Sequence, residues 1–147
     1  MTPPTRIAAT AAALLALAAP PAAAQVVDEC YGFRASARAV DWTFPTRTYA
    51  NGDVRLVALD TGEPALHAHH LMVTLPDPEI GFQTCALISR EGDLGWAGMA
   101  LEDATADYDP ATGLVIRVPV TIGEDGAFRD GVLSVGVNQR TGVVTAE

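Results

Sequence analysis

The chain has 147 residues, 49% of them apolar, with 18 acidic and nine basic side chains and a formal charge of −9. Such an acidic chain repels polyanions, which disfavours nucleic acid and anionic lipid headgroups as partners. All nine basic residues are arginine.

Residues 1–24 read as a secretory signal peptide. MTPPTR carries one positive charge at Arg6, an apolar run follows over 7–19, and Ala22-Ala23-Ala24 supplies a small-residue exit before Gln25. The run is too short and too alanine-rich to span a bilayer. No cysteine follows the cut to take a lipid, and no twin-arginine pair precedes it. Cleavage after Ala24 removes Arg6 and takes the charge from −9 to −10. Residues 25–147 are long enough for one domain with one core. The expected protein is periplasmic or secreted, with no stable membrane insertion once the leader is gone.

Strand signals dominate residues 25–147. Tyr31, Phe33, Ala35, Ala37 and Ala39 alternate with Gly32, Arg34, Ser36 and Arg38 and suggest a first strand, with an alanine-rich helix as the competing assignment. Residues 53–60 (DVRLVALD) alternate weakly, and 70–75 (HLMVTL) and 82–89 (FQTCALIS) are short apolar runs bounded by turn residues. The clearest pattern is LVIRVPVTI, 114–122, where Leu114, Ile116, Val118, Val120 and Ile122 share one face. Pro119 cannot donate to a ladder, so an edge or a bulge is expected there. VLSVGVN (132–138) and VVTAE (143–147) close the chain. Asn51-Gly52, Thr61-Gly62-Glu63-Pro64, Pro76-Asp77-Pro78, Asp109–Gly113 and Asn138–Gly142 punctuate these runs with turn chemistry. The pattern predicts an all-β sandwich or barrel-like domain of about seven to nine antiparallel strands. Cys30 and Cys85 are too far apart for a redox motif, and in an oxidising compartment they are expected to pair.

Every histidine lies in GEPALHAHHLMV. If 66–75 is one strand, His67 and His69 share a face with Leu71, and His70 shares the opposite face with Met72. Neutral imidazole suits copper and zinc, and the His70-Leu71-Met72 unit adds a soft thioether. A metal site at His67, His69, His70 and Met72 then needs a bulge at Ala68, or a loop over 64–69, or else an added carboxylate from Glu63 or a neighbouring strand. The competing reading is three ordinary strand or rim residues.

Other chemistry is fainter. Ser134-Val135-Gly136 is half a nucleophile elbow, with Val132 where a glycine is required. Glu102, Asp103, Asp107 and Asp109 have oxygen ligands but no EF-hand spacing, and a solvated turn in which Asp109 bonds its own backbone explains them better. Trp42 and Phe44, with Trp96, suggest a sugar-stacking face, against a core role for one tryptophan. Arg34 and Arg38 are candidates for an anion. No catalytic set stands out. The sequence points to a non-catalytic binding or assembly role for an envelope protein or small ligand, without a cofactor. The alternative is copper or zinc binding or delivery at the histidines.

Overall fold

The computed structural model describes residues 25–147. The leader expected over 1–24 lies outside them. The described residues form ten strands: β1 (Gln25–Glu29), β2 (Thr46–Tyr49), β3 (Val54–Asp60), β4 (His69–Pro76), β5 (Gln83–Arg90), β6 (Gly98–Met99), β7 (Thr105–Asp109), β8 (Gly113–Glu124), β9 (Ala127–Asn138) and β10 (Val143–Ala146). They build two antiparallel sheets, ordered β1-β5-β4-β3-β2 and β10-β9-β8-β6, with β7 pairing β8 beside β6. The fold is all-β, as the alternation predicts.

The strand faces follow the period of two. Val54, Leu56 and Ala58 of β3, Leu71, Val73 and Leu75 of β4, and Ile88 of β5 bury one face of the first sheet. Ile116, Val118 and Val120 of β8 and Leu133, Val135 and Val137 of β9 bury the facing side of the second. Trp96 fills the same core at 2% exposure. A second, smaller cluster of Ala39, Leu59 and Leu87 lies on the outer face of the first sheet. Partly buried Cys30, Val40, Val57 and Met72 pack against it.

That outer cluster corrects the reading of residues 31–39. They form turns and a 3-10 turn at Ala37–Ala39, neither the expected strand nor an alanine-rich helix. Ala39, with Cys30 and Val40 on either side of the segment, covers the sheet instead of extending it, while the Tyr31 and Phe33 rings stand out in solvent. The strand that precedes them is β1, whose two valines are too few to announce it.

Pro119 lies inside β8, between β9 and a broken neighbour. Its carbonyl accepts from Ala100 N at 2.9 Å. An antiparallel residue turns N–H and C=O to the same side, so the missing donor also faces that neighbour. There β6 and β7 are separated by a 3-10 turn at Leu101–Asp103. The proline sits where the partner strand detours, and no ladder bond is lost.

The β1–β5 register runs to Glu29 opposite Ala86, and one further step sets Cys30 against Cys85. These two form the disulfide, with 5.7 Å between their Cα atoms, within the normal range. On the opposite flank β2 is an edge strand, where Arg47 donates to the Glu102 carbonyl and Tyr49 to that of Ala104.

Candidate functional site

The histidines occupy three environments. His67 is the last residue of a 3-10 turn, Ala65–His67, and the strand begins only at His69. A single strand over 66–75 is therefore not formed, and the loop alternative holds for residues 64–68. The turn closes on itself, with His67 N donating to Pro64 O, and Thr61 N and Oγ1 donating to Ala68 O. The His67 carbonyl accepts from Gly95 N at 2.8 Å. Gly95 has to be glycine, because a Cβ there would collide with the backbone oxygens of His67 and His69.

His69 pairs with Trp96 through both backbone groups. Its Nε2 lies 3.9 Å from Asp60 Oδ2, across the register of β3 and β4. The Nδ1 atoms of His67 and His69 are buried without a hydrogen-bond partner. His70 points to the outer face, 2% exposed, with Nδ1 2.9 Å from Ser89 Oγ. Arg34 of the covering segment pairs with Asp93 at 3.3 Å close by. Burial, and then the Arg34 charge, push the His70 imidazole down to about 4 from its ordinary 6.5. Met72 packs on the outer cluster. Among the described residues, no group of three or more His, Cys, Asp or Glu is arranged to hold a metal ion.

A second feature lies along the β2 edge of the first sheet. Val40 bridges Leu59, Asp41 N donates to Ala58 O, and Ala58 N donates to Pro45 O. Residues 41 and 45 therefore bond the same residue of β3, and Trp42-Thr43-Phe44 are extruded between them. Asp41 Oδ1 accepts from Thr43 N at 2.9 Å and fixes the turn of the extruded loop. Trp42 is 75% exposed and Phe44 50%. Tyr31 and Phe33 of the same covering segment are 73% and 65% exposed. The Tyr31 hydroxyl bonds Glu29, which raises its phenol above the ordinary value. Just beside the bridge, Phe33, Arg38, Ala39, Asp60 and Thr61 line a surface dimple of about 80 Å³. Arg34 is engaged by Asp93, whereas Arg38 has no ion pair or side-chain hydrogen bond among the described residues.

The tryptophans divide as the core alternative for one of them requires, with Trp96 inside and Trp42 outside. The aromatic edge was partly visible in the sequence, since four of the nine aromatic residues fall between 31 and 44. Asp60 and Thr61 of the dimple were not visible, because a non-local strand pairing brings them there. Asp109 Oδ1 accepts from Ala111 N and Thr112 N, which holds its carboxyl below the ordinary range, as a self-bonded turn should. Ser134 lies within β9 and exchanges backbone bonds with Glu147.

No protein-family model matches this chain, nor does any curated protein or solved structure.

Proposed function

We propose that the chain is an exported, non-catalytic binding module for a component of the cell envelope, and that the aromatic edge engages it. The observation that carries this reading is the extruded Trp42-Thr43-Phe44 loop, pinned on both sides to Ala58. Burying a large apolar side chain is worth roughly 1.5–3 kcal/mol. A sheet edge that forgoes this for several neighbouring rings, on a segment anchored by Cys30–Cys85 and the outer cluster, is prepared for a partner. The disulfide agrees with an oxidising, extracytoplasmic setting, and no helix among the described residues is long and apolar enough to cross a membrane.

The test is retention of the purified protein on the insoluble envelope fraction of the source cell. Wild type is expected to co-sediment. The Trp42→Ser/Phe44→Ser variant is expected to stay in solution with a urea midpoint close to that of wild type, because Trp42 is largely in water and Phe44 half exposed. Equal retention of the two proteins would remove the aromatic edge from the reading, and no retention of either would remove the reading.

The second reading is copper or zinc at His67, His69, His70 and Met72. In its favour are the two unpartnered imidazole nitrogens of His67 and His69. Against it, His70 is bonded to Ser89 on the other face of β4. Titration with Cu(I), Cu(II) and Zn(II), beside His67→Ala/His69→Ala, separates the two. High-micromolar binding that is the same in both proteins is expected. Submicromolar binding that vanishes in the variant would reverse the order of the readings.

A further inference from the structure

We infer that the ligand of this edge is a glycan chain carrying free vicinal hydroxyls, held with a sugar ring over Phe33 and a neighbouring unit against Trp42. The inference rests on the binding-module reading and adds the chemistry of what is bound.

A sugar ring offers an apolar C–H face and a rim of hydroxyls close to the ring plane. It therefore needs a flat apolar platform with planar polar groups at its margin. The dimple has that composition. Phe33 supplies the platform, Arg38 and Asp60 stand at its margin, and Thr61 completes the wall. The Arg38 guanidinium presents paired donors in a fixed fork, and the Asp60 carboxylate presents acceptors. Adjacent hydroxyls can accept from the first and donate to the second. Asp60 is held in place, since its Oδ1 accepts from Gly62 N at 2.7 Å and its Oδ2 lies 3.9 Å from His69 Nε2. Thr61 Oγ1 is fixed by the carbonyls of Glu63 and Ala68.

The dimple admits one substituent of a ring, so the ring itself lies across its mouth and remains open to a chain on either side. From Arg38 to Trp42 is four residue steps, at most about 14 Å when extended. That upper limit keeps the two within reach of successive units of one oligosaccharide. A partner protein would be better served by a continuous apolar patch with its charges at the rim. Here Arg38 and Asp60 share the dimple with Phe33, and Asp41 adjoins Trp42 in the chain. The overall acidity disfavours an anionic lipid surface as the occupant.

The chain has two tryptophans, and Trp96 is buried. Emission changes on binding therefore report on Trp42. The deciding experiment is co-sedimentation with the envelope fraction after two separate treatments. Periodate cleaves vicinal diols and leaves polypeptide largely intact, whereas protease does the reverse. Retention lost after periodate and kept after protease is the expected result. Soluble glucan and mannan hexasaccharides then serve as defined probes, and at least one is expected to shift Trp42 emission. Phe33→Ala and Arg38→Ala should each weaken that binding by about tenfold or more, with unchanged circular dichroism, because both side chains are exposed. Retention kept after periodate would overturn the glycan whatever protease does, and its loss after protease would then leave a protein-binding module. No retention in untreated material would overturn both.

Discussion

Burial of one imidazole ties the stability of this protein to pH. His70 faces Ser89, with Arg34, Asp93 and His69 as the charged or titratable groups around it. The unfolded chain takes up a proton near the ordinary 6.5, and the folded chain only near about 4. Between those values the unfolded state binds more protons. This contribution to stability is therefore complete above about pH 6.5 and is lost as pH falls toward 4, by at most about 3 kcal/mol. Urea midpoints measured between pH 7 and 4.5 should fall more steeply for wild type than for His70→Asn, which keeps a hydrogen-bonding neighbour for Ser89. Parallel curves would show that His70 is not the source. That His69 and His70 face opposite ways was legible, since adjacent strand residues must. That one is bonded to a buried serine and the other sits at a rim was not, because Ser89 and Asp60 arrive from other strands.

Among the elements, legibility followed the contrast between faces. β8 and the second half of β9, 132–138, bury one face and were readable, whereas Ala127–Asp130 of β9 is exposed on both faces and gave no strand signal. The short strands β2, β6 and β7 have two to five residues and owe their shape to the neighbour they pair with. β1 is similar, and it is held by the disulfide as well as by β5. The chain-entropy model gives about 4 kcal/mol for a link across this separation. Cys30→Ser/Cys85→Ser should lower the denaturation free energy by that order, as read from the urea midpoint and slope. A loss below about 1 kcal/mol would mean that the bond restrains the unfolded ensemble far less than loop closure predicts. The misread segment 31–39 shows why alternation is insufficient evidence for a strand. Of its alternating set Tyr31, Phe33, Ala35, Ala37 and Ala39, only Ala39 is buried, so the alternation arose without a strand behind it.

As a whole, the molecule is two sheets around one core, with a small second cluster beneath an aromatic lid. Composition and turn chemistry were enough to specify the first part. The lid was not specified, because its identity depends on Leu59 and Leu87 facing outward and needing cover. The disulfide joining lid and sheet has a consequence in time as well as in energy. Synthesis runs from the N-terminus, so Cys30 is made 55 residues ahead of Cys85. β3, β4 and β5 are consecutive antiparallel neighbours and can pair locally as they appear. β1 can only dock on them afterwards. Until it does, β5 presents the bare backbone of Ala86–Ser89, uncharged and largely apolar, to any other strand within reach. The Cys30–Cys85 bond lies one step beyond the ladder by which β1 covers that edge, so chains kept reduced are expected to leave it open longer and to join to one another more readily.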